Sequence, residues 1–373
     1  MTGLLVIATL LLLALVVGLV LFLRMMARRV VAVSRPRKTL EATGDGDAVV
    51  LPRSELTEAP GIYGLWFGED FREHAVIGDP IAIGSSSVSR SVLSASTVLP
   101  AEAFSAQWTG HAAAGPDGLN RPWRDVSVPL QGGGTAPAWF FPADSPSAPW
   151  AIHVQGIRTS RLVTLRAVEA AQRAGLASLV ITYRGAGDGA PESASTLGLS
   201  EWVDLRDAVA YARAEGAPSV VVVAYSMGAG LALELARQEP LSVDRLVLIC
   251  PATNWRKIVE HAAAKAHVPR FVATLTLGLM STPLLSRIVG LRQPIDFNAL
   301  DWTRPGAVTV PTVVVHSDGD AEIPFALSQE FAQAHPGVVS LIQTKTAPHG
   351  WEANVDPAGF DEALRSSLIR LKN

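Results

Sequence analysis

Ser226 stands in the run Ala224-Tyr225-Ser226-Met227-Gly228, between an apolar stretch at 220–223 and a run with helical spacing at 227–238. A serine on a sharp strand-to-helix turn exposes its Oγ and aims the positive end of the helix at whatever Oγ attacks. The turn brings strand and helix backbones together, so the positions two residues to either side must be small. Gly228 meets that need, and Ala224, where glycine is usual, is small enough to serve. The plainer reading is a serine capping a helix in an ordinary βα turn. That reading asks nothing of the rest of the chain, yet the chain supplies more. Asp318 and Asp320 follow an apolar strand at 312–316, and His349 comes one strand later and one helix before the end. An imidazole can take the serine proton and return it to a leaving group, while a carboxylate fixes its tautomer and stabilises the imidazolium. The chemistry would be acyl transfer to water through an acyl-enzyme. Of the eight histidines, His153 and His316 sit on strand ends, where packing or hydrogen bonding is the expected role. No His, Cys and Asp set has metal-ligand spacing, so no metal or other cofactor is expected.

These residues need a scaffold that sets them at one edge. From about residue 139 apolar strands alternate with helical runs. Strands are expected at 151–154, 178–182, 220–223, 246–249, 312–316 and 339–343, and helices at 160–174, 200–215, 227–238, 325–335 and 357–372. Continuous apolar strands separated by helices imply a mostly parallel sheet covered on both faces, an α/β fold. Residues 253–309 interrupt the alternation with apolar helical material, notably 271–285, and are expected to form a cap over the ligand edge.

With the serine, acid and histidine in that chain order, the sequence from about residue 139 to its end resembles the α/β-hydrolase family. The resemblance implies a serine hydrolase of the carboxylesterase, lipase or thioesterase kind. Ser317-Asp318-Gly319-Asp320-Ala321-Glu322-Ile323-Pro324 is similar to the family's Gly-x-x-Asp-x-x-Val-Pro segment, with Ser317 in place of Gly. That register makes Asp320 the acid, with Asp318, nearer the strand, as its rival. Thr346-Ala347-Pro348-His349-Gly350-Trp351 is like the family's histidine loop. The catalytic set would be Ser226, Asp320 and His349. The oxyanion donors would be the Met227 N–H, which follows the nucleophile, and the Ile157 N–H. Gln155-Gly156-Ile157 occupies the place of the family's His-Gly-x. Tyr183-Arg184-Gly185-Ala186-Gly187 resembles the Arg-Gly-x-Gly loop, for which a structural role is expected. An acyltransferase or a peptidase would use the same triad, and a membrane-tethered binding module would need none of it.

Residues 4–23 carry no charge, and as a helix they would extend about 30 Å, the thickness of the hydrocarbon layer. Met1-Thr2-Gly3 lacks the basic residues of a signal peptide, whereas Arg24, Arg28, Arg29, Arg35, Arg37 and Lys38 follow the apolar run. A single membrane span with the bulk of the chain on the cytoplasmic side is therefore expected. Residues 24–47 would be a basic juxtamembrane segment and linker, 48–138 an accessory β-rich region with 85–96 as a loop or irregular edge, and 139–373 the hydrolase domain. The net charge of −3 and the absence of long charge blocks leave no nucleic-acid footprint. The expected partners are the membrane and a small-molecule or lipid-like acyl substrate. The one cysteine, Cys250, precludes an internal disulfide and is expected to be a buried small side chain.

Overall fold

A computed structural model describes residues 2–34 and 38–369. Arg35 and Arg37 of the basic cluster, and the last residues of the helix expected at 357–372, lie outside the described residues.

The chain begins with helix α1, Thr2–Val31. Its residues 4–31 have a mean hydropathy of 3.2 over the most apolar window, so α1 is long and apolar enough to cross a membrane. The helix outlasts the apolar run because its last two turns are part of the protein core: Leu23, Ala27 and Val31, spaced four apart on one face, are buried.

Six strands follow, β1 Leu40–Asp45, β2 Ala48–Pro52, β3 Tyr63–Phe67, β4 Glu73–Ile83, β5 Ser87–Ala95 and β6 Phe104–Thr109, with a short helix α2 at Glu55–Glu58. They close into an antiparallel barrel in the order β1-β2-β5-β4-β3-β6. Alternate side chains point inward, including Val49, Leu51, Leu65, Phe67 and Ile77, and fill it. Two expectations are corrected here. Residues 40–45 are a strand rather than linker: the sequence Leu-Glu-Ala-Thr-Gly-Asp is polar because only Ala42 is buried among them. Residues 85–96 are mostly strand β5, whose serines face outward while Val88 and Arg90 point in. Arg90 is completely buried, and its guanidinium donates to the carbonyls of Gly78, Thr57, Ala59 and Gly61 at 2.8–3.0 Å.

The remaining strands are β7 Arg124–Pro129, β8 Thr135–Phe141, β9 Trp150–Val154, β10 Ala177–Ile181, β11 Val220–Tyr225, β12 Arg245–Ile249, β13 Thr312–Ser317 and β14 Val339–Thr344. They form one sheet in the order β14-β13-β12-β11-β9-β10-β8-β7. The last two join antiparallel and the others are parallel. The sheet thus starts at Arg124, inside the segment expected to be accessory, because β7 and β8 extend its edge as a hairpin. Every residue of β9, β10, β11 and β13 is buried, which is why these strands read as unbroken apolar runs. Helices α3 Leu165–Arg173, α4 Trp202–Ala214 and α5 Gly228–Gln238 cover the sheet. Between β12 and β13 the cap carries α6 Trp255–Lys265, α7 Arg270–Ser281 and α8 Ser286–Val289. Helices α9 Phe325–Ala334, α10 Glu352–Val355 and α11 Pro357–Ile369 complete the fold.

Candidate active site

Ser226 follows β11 with φ +52°, a left-handed conformation that costs a non-glycine residue energy. The turn is held from both sides. The Ser226 N–H donates to the Ile249 carbonyl at 2.9 Å, and the Ala252 N–H donates to the Ser226 carbonyl at 3.2 Å. Gly228 is required by the crossing: a Cβ there would lie 2.6 Å from the Gln155 carbonyl oxygen. Ala224 meets no such obstacle, since its methyl packs in the core beneath the sheet.

The structure brings His349 and Asp320 to this serine. Nε2 of His349 lies 2.9 Å from Ser226 Oγ, and Nδ1 lies 2.5 Å from Asp320 Oδ2. The other Asp320 oxygen accepts the backbone N–H groups of Glu322 and Ile323, each at 2.8 Å. Asp318 points elsewhere, accepting from Thr346 Oγ1 at 2.8 Å and Gln343 Nε2 at 3.0 Å at the surface. His316, at the end of β13, has Nε2 3.0 Å from Asp320 Oδ2 and Nδ1 2.8 Å from Ser328 Oγ. His153 is buried, 3.1 Å from Ser178 Oγ, and burial drives its pKa down to about 3, so it is neutral at pH 7.

The charges at the site follow from these contacts. Burial would raise the Asp320 carboxyl, but hydrogen bonds from His316 and His349 hold it well below the usual carboxylate range. Burial opposes protonation of His349, while its hydrogen bond to the Asp320 carboxylate and that group's charge favour it, and the imidazole is raised above its ordinary value. The Cys250 thiol is itself pushed up to about 12 by burial and is uncharged near neutrality, so the standing charge is that of Asp320. Cys250 is buried, and it also lines the cavity beside His349, a placement its apolar neighbours in sequence do not announce.

Cys250, Asp320 and His349 bring potential ligand atoms within 4.8 Å of one another. The His349 nitrogens already face Asp320 and Ser226, so an ion there would have to dismantle both contacts.

Met227 caps the N-terminus of α5, and Ile157 lies on the loop after β9, where a Cβ on Gly156 would approach Ser226 Cβ to 3.0 Å. Neither the Met227 nor the Ile157 N–H is taken by a backbone carbonyl among the described residues. Arg184 is tied to the buried Asp204 of α4 at 2.5 Å.

Ser226 and His349 open into a cavity of about 750 Å³. One wall is Trp255 and Ile258 of α6. The barrel and its connecting segments supply Trp66, Phe71, Gln107 and His111 to the lining. Nothing in the linear sequence links these four residues to Ser226, more than a hundred positions away; only their aromatic density in a β-rich stretch hints at a surface. Thr159 Oγ1, 3.3 Å from His111 Nε2, joins the barrel to the loop that carries Ile157. Burial, helped by nearby His74, pushes His111 down to about 4, so this part of the lining carries no histidine charge at pH 7.

Residues 156–360, more than half of the 373, match a family model described as the alpha/beta hydrolase family. The chain belongs to that family. Its strand order is that of an alpha/beta hydrolase, as the resemblance in sequence implied. Residues 39–109, the barrel, match a model described only as a domain of unknown function. Similar solved structures include two that illustrate the match. An esterase of Pyrococcus furiosus is 20% identical with a TM-score of 0.54, covering 70% of this chain and 95% of its own. Mouse alpha/beta hydrolase domain-containing protein 10 is 16% identical with a TM-score of 0.51, covering 67% of this chain and 100% of its own. At these identities the likeness is one of fold. No curated protein gives a significant sequence match.

Proposed function

We propose that this alpha/beta hydrolase cleaves carboxylic esters or thioesters with Ser226 as nucleophile, His349 as base and Asp320 as acid, held at the membrane by α1. The observation that carries the reading is the unbroken hydrogen-bond chain from Ser226 Oγ through His349 to Asp320 Oδ2. His349 Nε2 takes the Ser226 proton as Oγ attacks the carbonyl carbon. The oxyanion is met by the N–H groups of Met227 and Ile157 and by the positive end of α5. As the tetrahedral species collapses, the same proton passes from His349 to the leaving alcohol or thiol, leaving an acyl-serine. Water, deprotonated by His349, then attacks the acyl carbon and frees the acid and Ser226. Asp320 keeps the Nδ1 proton in place and balances the imidazolium without taking the proton itself.

The membrane reading is supported by the burial of Leu23, Ala27 and Val31 in the hydrolase core. A leader destined for removal has no reason to contribute to the core of the mature protein. Arg24, Arg28, Arg29 and Lys38, all after the apolar run, support a cytoplasmic position for the hydrolase. The test is a fluorophosphonate probe and acyl esters of graded chain length against the purified full-length protein. Labelling and turnover are expected, rising with acyl length. A folded protein that neither labels nor turns over would be a binding module instead. External protease that digests the domain in intact cells would overturn the orientation.

A further inference from the structure

The cap carries an apolar face that the fold leaves uncovered. Helix α7 buries Val272, Ala273, Thr276, Leu277, Leu279 and Met280. Its outer stripe includes Phe271 and Leu275, spaced one turn apart and 63% and 45% exposed. The turn into α8 continues the stripe with Leu284, Leu285 and Ile288 at 74%, 41% and 40%. Contiguous exposed apolar side chains of this size mark a contact surface.

Helix α1 shows what covers them. Residues 4–19 of α1 are exposed throughout, and contact with the rest of the protein begins at Val20 and Leu23. Sixteen free residues extend only about 24 Å at 1.5 Å per residue, short of the roughly 30 Å of hydrocarbon. An α1 that spans must therefore keep at least its next turn, where the folded protein already touches it, within the apolar layer or at its boundary. Arg24, the first charge after the apolar run, donates from Nε to the Ile288 carbonyl at 2.9 Å, which fixes α8 at that boundary. Arg28 donates to the Val289 carbonyl at 3.2 Å, one turn further out. The exposed Arg270 and Arg287 flank the stripe, where cations meet lipid headgroups.

We propose that the α7–α8 hairpin is a second membrane-contact surface, with Phe271, Leu275, Leu284, Leu285 and Ile288 seated in the interfacial layer of the leaflet that α1 leaves. This rests on α1 spanning the bilayer, and the experiment separates the two. Single cysteines are placed at Leu12, Leu275, Leu284 and Leu241 of the full-length protein, which is reconstituted in phosphatidylcholine vesicles after labelling with an environment-sensitive fluorophore. The native Cys250 is wholly buried, and the unsubstituted chain serves as its control. Leu241 is 96% exposed just before β12, at the end of the sheet opposite the cap. Lipids with a nitroxide near the headgroup or deep in the chain act as quenchers. The Leu275 and Leu284 labels are expected to be quenched several-fold more than Leu241, best by the shallow nitroxide, and Leu12 best by the deep one. If Leu12 is quenched while Leu275 and Leu284 behave as Leu241 does, the hairpin is not in the membrane. If Leu12 escapes quenching, the span fails; the hairpin surface then stands only if its own labels are quenched.

Discussion

His316 Nε2 lies 3.0 Å from Asp320 Oδ2, the same oxygen that faces His349 Nδ1. One carboxylate oxygen is thus clamped between two imidazoles, while its partner oxygen takes two backbone N–H groups. Such a carboxylate has no rotational freedom left. The same geometry favours Asp320 over Asp318 as the proposed acid, and the choice can be tested. Asp320→Asn should lower turnover on the order of 10⁴-fold with the fold retained. Asp318→Asn should keep most activity and change melting temperature by no more than a few degrees, since it loses only surface contacts to Thr346 and Gln343. The reverse pattern in the two mutants would put the acid two residues earlier.

Ser226→Ala removes the proposed nucleophile and relaxes nothing else in the site. Turnover should fall by at least about 10⁴-fold and fluorophosphonate labelling should vanish. Its melting temperature should hold or rise slightly. Labelling of the folded variant at normal rates would rule Ser226 out.

The acid limb of kcat/KM against pH reports the base of the free enzyme, which must be neutral to accept the serine proton. Because His349 is held above its ordinary value of 6.5, with Asp320 as the lasting charge, the limb should fall above that value. A midpoint below 6 would contradict the coupling of His349 to Asp320.

Glu352, almost wholly buried in α10 with neither carboxylate oxygen partnered, is pushed from 4.5 up to about 7 by burial. The folded protein therefore holds this proton more tightly than the unfolded chain does. Stability from this group is full below pH 4.5 and is lost as pH climbs to about 7. Glu352→Gln cannot lose the proton and should raise stability at pH 8 by up to about 3 kcal/mol, with little change at pH 4. Urea melts at the two pH values give the comparison; equal gains at both would remove the proton from the explanation.

Trp66 reaches the cavity from the barrel and is steadied by His74, with ring centroids 4.5 Å apart. Trp66→Ala should raise KM for long acyl esters on the order of tenfold and leave acetyl esters nearly unchanged. An equal effect on all chain lengths would mean that Trp66 supports the fold and not the substrate.

The hydrolase sheet is legible in the sequence because its strands are buried on both faces and announce themselves as unbroken apolar runs between helical spacings. The barrel is far less so. Its strands are half-buried, interrupted by Pro80 and by bulges in β4, and Arg90, a charged residue, occupies its interior. Ser226 and His349 could be found because each sits at a fixed place in the order of strands and helices. Cys250 and Trp66 could not, since only folding brings them to the cavity beside Ser226; His316 reads as a hydrogen-bonded strand-end residue, but its partner Asp320 does not show.

Arg158, next to Ile157, donates to the Arg29 carbonyl at 2.7 Å, and the Ser195 N–H donates to the Val31 carbonyl at 2.8 Å. The end of α1 is thereby fastened to the loop beside the serine. A domain on a slack tether swivels through a wide cone above the surface and presents its opening at every angle. Here the end of α1 is fixed to the fold, so the mouth of the cavity keeps a single bearing relative to the axis of α1, and with α1 spanning as proposed that bearing would set how the cavity meets the surface.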